Sequence, residues 1–192
     1  MGLFDKKYCD ICGSKIGLLG NKKLEDGNCC KDCASKLSPW FSERRHSTIE
    51  SIKEQLAYRE ANKAEVESFN VTRTIGTGTR VLIDENQKKF IITSSKKWRD
   101  ENPDVLSFSS VTGCDTFIDE NKSEIMNKDK DGNSVSFRPP HFRYTYIFFV
   151  TIHVNNPYFD DIKFRLNSFS VDEEAVGPLL RPARTCRIQA DL

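Results

Sequence analysis

The chain has 192 residues, 38% apolar and 30% charged, enough for one ordinary domain with a small appendage and rich enough in apolar side chains to build a core. Its 29 basic and 28 acidic residues leave a formal charge of +1, balanced in both halves: 12 basic against 11 acidic in residues 1–70, and 17 against 17 in residues 71–192. That balance gives no support to a nucleic-acid binder, which needs a basic surplus to displace counterions, and no run reaches the roughly 20 apolar residues that cross a bilayer.

The chain opens on Met1 to Phe4 and meets charge at Asp5, unlike the apolar core of an export signal, so the expected compartment is the cytoplasm. Five of the seven cysteines then fall within residues 1–40. In a reducing compartment, paired Cys-x-x-Cys spacing argues for metal rather than for disulfides. Cys9–Cys12 and Cys30–Cys33 are such pairs, seventeen residues apart, which fits the four-cysteine zinc pattern. Two intervening residues let both sulfurs turn to one point, and Gly13 suits the tight turn that a knuckle needs. Cys29 offers a second choice for the third ligand, but its spacing to Cys33 is one residue too long, so Cys30 is preferred. Iron fits the same sulfur cage; zinc is the expected occupant, held by Cys9, Cys12, Cys30 and Cys33 in a ribbon over residues 1–42. Four thiolates leave no position for an activated water, so the site is expected to be structural.

Residues 43–70 read as a helical connector. Ser47-Thr48-Ile49-Glu50 has the form of a capping box, and from there to about Phe69 the chain has no Gly or Pro. Ile49, Ile52, Leu56, Lys63 and Val66 share roughly one face, interrupted by Lys63. The narrow stripe suits a spacer or packing arm.

From residue 71 to 170 short β-branched and aromatic runs predict strands at Val71–Ile75, Arg80–Ile83, Phe90–Thr93, Val105–Ser109, Thr116–Ile118, Phe142–Val154 and Ile162–Leu166. Asp84 to Gln87 and Asp129 to Asn133 look like hairpin turns. The whole implies a small antiparallel barrel or sandwich. Residues 171–192, with Gly177-Pro178 and Pro182, show no helical period and predict an irregular tail.

Other motifs carry less. Asn127, Asp129 and Asp131 mimic half of a calcium loop, but Arg138 stands where a bidentate Glu is required. Gly76-Thr77-Gly78 lacks the third glycine of a dinucleotide loop. None of His46, His141 and His153 lies in a nucleophile motif, and Cys114 reads as a part-buried thiol. Arg44-Arg45-His46 and Lys96-Lys97-Trp98-Arg99 are the basic clusters that could meet phosphate or a lipid headgroup.

The run from Cys9 to Gly20, the Asp26-Gly27 turn, the Cys30–Cys33 pair and the segments Lys36 to Phe41 and Arg44 to Thr48 together resemble a bacterial N-terminal zinc-ribbon domain of unknown function, DUF family 4428, over about residues 8–70. The resemblance implies the same four cysteine ligands and no known activity. It further implies a pleckstrin-homology-like β domain after the ribbon, agreeing with the strands; the closing helix of such a domain is not legible in residues 171–192.

The sequence therefore predicts an α+β, non-enzymatic adaptor or scaffold with one structural Zn2+ and a protein or peptide partner, its oligomeric state left open. The rivals are a membrane-surface or nucleic-acid module using the basic clusters, and an enzyme with a cleft around residues such as His46, Arg73 or Asp115.

Overall fold

A computed structural model describes residues 7–173. The N-terminal part is two short hairpins, β1 (Lys7–Tyr8) with β2 (Lys15–Ile16) and β3 (Lys22–Lys23) with β4 (Asn28–Cys29), followed by a one-turn helix α1 (Lys31–Ala34). These elements are too short to hold themselves together by ladder hydrogen bonds. They close instead on a core of Cys9, Ile16, Leu24, Cys29, Cys30, Cys33 and Leu37, into which Ile52 of the next helix inserts.

That helix, α2 (Ile49–Ser68), follows a 3-10 turn at Glu43–His46. Its cap is Thr48, whose hydroxyl accepts from Ser51 N at 3.2 Å, while Asp26 accepts from Ile49 N at 2.8 Å. The expected cap, Ser47, lies one residue early: its hydroxyl turns back to donate to Glu43 O at 2.8 Å and closes the 3-10 turn.

The buried stripe of α2 is Ile52, Gln55, Arg59, Asn62 and Val66, spaced three or four apart. This corrects the apolar stripe drawn from the sequence. Lys63 faces solvent and pairs with Glu60, whereas three polar side chains point inward. They are tolerated because two of them find partners. The Arg59 guanidinium donates to Asp104 at 2.6 Å and to the carbonyls of Asn102 and Lys36, while Asn62 donates to Pro103 O at 2.7 Å and accepts from Val105 N at 3.0 Å. Asp104 in turn accepts from the Ser38 hydroxyl at 2.7 Å. Burial pushes the Asp104 carboxyl above its usual range, against the pull of Arg59 and Ser38. One buried polar network thus joins the ribbon, the helix and the β region.

The C-terminal part holds two antiparallel sheets. The first runs in the order β5 (Arg73–Ile75), β6 (Arg80–Asp84), β7 (Lys89–Thr93), β8 (Leu106–Ser107). The predicted turn at Asp84 is present: Asp84 is fully buried and its carboxylate accepts from Gln87, Asn70 and Asn86 N, which hold it below the usual carboxylate range. β8 is shorter than expected because Ser107 turns its hydroxyl onto Ser109 N and starts a 3-10 turn at Phe108–Ser110.

The second sheet is built on a long hairpin, β9 (Val111–Lys128) with β10 (Ser134–Val154), closed by the predicted turn, in which Asp129 accepts from Asp131 and Asn133 N. Asp129 is thereby committed to its own turn. The register shifts between Ser136 and His141, where Pro139 and Pro140 have no N–H to give to the ladder. β11 (Asp161–Arg165) and β12 (Val171–Asp172) pair with the other side of β10. β12 corrects the first two residues of the expected irregular tail, since Val171 finds a ladder partner in Tyr146; the rest of that segment lies outside the described residues.

Phe90, Ile92 and Leu106 of the first sheet pack against Ile152, Val154, Ile162 and Phe164 of the second, with Trp40 of the ribbon at the margin. The neighbouring Ile91 points the opposite way, onto Phe69 and Leu82 beneath the end of α2, as strand alternation requires. The two sheets therefore pack face to face. Of the two forms expected, barrel or sandwich, the closed barrel is not formed: among the described residues no ladder joins the sheets, because β10 spends its length on β9, β11 and β12. No described helix is long and apolar enough to cross a membrane.

Candidate metal centre

The first knuckle runs off β1. Gly13 N donates to Cys9 O at 2.7 Å, and Gly13 adopts φ +74°, a left-handed conformation that glycine accepts without Cβ strain. Cys9 N donates to Ser14 O, so Cys9 and Cys12 are turned to the same side. The second knuckle is the start of α1, where Cys30 is the N-cap and its sulfur accepts from Cys33 N at 3.3 Å. Asp10 locks the two knuckles by accepting from Asn28 N at 2.6 Å.

This brings the sulfurs of Cys9, Cys12, Cys30 and Cys33 within 4.8 Å of one another. The Cys9–Cys33 separation is 3.9 Å and the Cys12–Cys30 separation 3.7 Å. A tetrahedral metal with bonds to sulfur of about 2.3 Å requires edges of about 3.8 Å. The four residues can therefore hold one metal ion with little rearrangement. All but Cys12 are buried.

Cys29 lies elsewhere. It sits on β4 with no exposed surface, and its thiol donates to Cys30 O at 3.4 Å. Burial pushes that thiol up to about 12, as expected of a core side chain. Its sulfur is not one of the four that cluster.

The four clustered thiols are tuned unequally. The Ser14 hydroxyl, followed by its backbone N–H, holds Cys12 down at about 6. For Cys9, burial acts upward but is outweighed by N–H groups of Cys12, Cys30 and Ile11, and the net direction is down. Burial raises Cys33, reinforced by the sulfurs around it. Hydrogen-bond donors thus favour two thiolates, the Ser14 hydroxyl leading at Cys12 and backbone N–H groups at Cys9, and a bound cation would favour all four. Four thiolates complete a tetrahedron, and such a centre binds a metal without presenting an open position for a substrate or water.

The residues considered for other chemistry do not converge. His46 is exposed in the 3-10 turn of the ribbon, Arg73 is exposed on β5, and Asp115 lies on β9. His141 stacks on Phe137 with ring centroids 4.8 Å apart. His153 is a clip across three strands, bonding Asp161 through Nδ1 at 2.7 Å and Asp115 through Nε2 at 3.0 Å. Only the cross-strand register places those carboxylates, so sequence reading had no signal for it.

The basic clusters are partly structural. Arg99 donates to the carbonyls of Val66 and Phe69 at the end of α2 and lies 4.3 Å over the Trp98 ring, which packs on Phe69. Arg44 donates to Lys23 O at 2.7 Å, yet with Arg45, Lys22 and Lys23 it also lines an open groove of about 520 Å³ beside the ribbon.

Compared with known proteins, residues 7–55 match a domain of unknown function (DUF4428). The matched segment contains the whole four-cysteine cluster and the first turns of α2. The chain matches no curated protein and no solved structure at a significant level.

Proposed function

We propose that Cys9, Cys12, Cys30 and Cys33 hold one structural zinc ion, and that the chain is a cytoplasmic, non-catalytic adaptor for a protein or peptide partner. The observation that carries this reading is the closed sulfur cluster, whose 3.7 and 3.9 Å edges fit a tetrahedral ion and leave no open coordination position. Zinc is chosen over iron on redox grounds: it holds thiolates in one state and suits a site whose task is to fix a fold.

The β region is read as a divergent pleckstrin-homology-like domain, a reading supported by its two antiparallel sheets packed face to face. It offers two strand edges to a partner: β5, with all three residues exposed, and the outer side of β9. Extended peptides add to such edges through main-chain hydrogen bonds. Panning an immobilised, zinc-loaded chain against a peptide library tests the role. The expected result is a family of extended binders that slow amide exchange in β5 or β9. A library that yields no saturable binder, or binders that protect neither edge, would contradict it.

A second reading rests on the basic groove at Lys22, Lys23, Arg44 and Arg45, which favours an anionic ligand. Steep weakening of inorganic phosphate or anionic vesicle binding with added salt would mark it.

A further inference from the structure

β9 is 18 residues long and, among the described residues, pairs with β10 alone. The strand contains no proline, and its charges, Asp115, Asp119, Glu120, Lys122, Glu124 and Lys128, are of both signs, so a partner strand can match them. Phe117, Ile125 and Met126 are 65%, 42% and 47% exposed along it. Beyond Asn121 the hairpin is only two-stranded, because β11 and β12 reach β10 from Thr145 onward, and such a ribbon is marginal in water on its own, so this arm calls for an added strand.

We infer that the added strand is β9 of a second copy of this chain, paired antiparallel about a two-fold axis that runs perpendicular to the sheet through Asn121. This deepens the reading of the strand edges as binding surfaces by naming the occupant of one of them. Such an axis keeps every side chain on its own face, so only registers centred on a residue are allowed. Centred on Asn121, Glu120 faces the partner copy's Lys122 and Lys122 its Glu120, giving two opposite-charge pairs on one face. Phe117 meets Ile125 twice on the other, and Asp119 meets Ser123. The neighbouring registers fail. A centre at Glu120 sets Glu120 against itself, and a centre at Lys122 sets Lys122 against itself and Glu120 against Glu124. A centre at Ser123 keeps a Lys122–Glu124 pair but moves Phe117 opposite Asp129, beyond the strand. Opposed charges and apolar pairs stabilise directly facing positions, whereas like charges destabilise them. Of the registers centred from Glu120 to Ser123, only the one on Asn121 joins both the opposite charges and the exposed apolar residues.

The full chain, purified with zinc, is expected to run in light scattering at twice the 22.0 kDa chain mass and to dissociate on dilution. Glu120→Lys and Lys122→Glu should each weaken the dimer by about tenfold or more, and the double exchange should restore it. A cysteine scan reads the register without relying on those variants. Asn121→Cys should form an interchain disulfide under mild oxidation, because directly opposed antiparallel residues lie about 4.5–5.5 Å apart at Cα, within disulfide range. Ser123→Cys should not, since it faces Asp119. A chain that stays monomeric at about 100 µM, or one that cross-links through Ser123→Cys and not Asn121→Cys, overturns the inference. A monomer that still captures extended peptides overturns the dimer and leaves the adaptor reading standing; a dimer that captures none does the reverse.

Discussion

Asp104→Asn removes the negative member of the Arg59–Asp104 pair while keeping its shape. The two side chains are 7% and 0% exposed, so solvent does little to screen the charge left behind on Arg59. Removing one partner of such a pair costs about 3–5 kcal/mol, most of it the penalty of an uncompensated buried charge. For a chain of this length that corresponds to a fall in Tm of roughly 6–20 °C. The double variant Arg59→Met with Asp104→Leu buries no charge and should lose less than Asp104→Asn alone, in thermal unfolding followed by circular dichroism. Because Ser38 and Lys36 of the ribbon bond to the same pair, amide exchange should rise in the ribbon as well as in the loop around Asp104. A loss under about 1 kcal/mol, or exchange that changes only in the loop, would refute the idea that this network ties the three regions together.

Three further outcomes follow from side chains near it or apart from it. Gln55 is fully buried with both amide atoms unpaired among the described residues, so Gln55→Met should raise stability by about 1–3 kcal/mol in urea unfolding. Cys29→Ser should keep its metal, whereas Cys30→Ser should lose it, as read by metal analysis after desalting. The His153 imidazole is held above its ordinary value of 6.5, first by Asp115 and then by Asp161. Its clip is therefore fully formed below 6.5 and fades as pH rises through the folded value, so His153→Gln should flatten the fall in stability on the alkaline side of that point. Titration of the His153 ring protons by NMR checks the direction; a midpoint at or below 6.5 would contradict it.

The parts of this fold that were legible in the sequence are those fixed by local spacing. Cys9–Cys12 and Cys30–Cys33 declare themselves because two intervening residues set each knuckle, and the Asp84 and Asp129 turns do so because an aspartate accepts from backbone N–H groups two to four residues on. What was illegible depends on distant partners. Arg59 and Asn62 read as a solvent face until Asp104 and the loop around it supply their hydrogen bonds from more than 40 residues away. The span from Asp119 to Lys128 has little intrinsic strand preference and becomes strand only because β10 pairs with it along its length. A closed barrel stood beside a sandwich among the expected forms because the strands were counted as short, and a hairpin of this length leaves β10 no edge with which to close one.

The zinc site can be read by X-ray absorption at the zinc edge of the purified chain, with total zinc measured on the same sample. One zinc per chain is expected, with four sulfur neighbours at about 2.3 Å and no lighter ligand. Zinc well below one per chain, or a nitrogen or oxygen atom in the coordination shell, would contradict it.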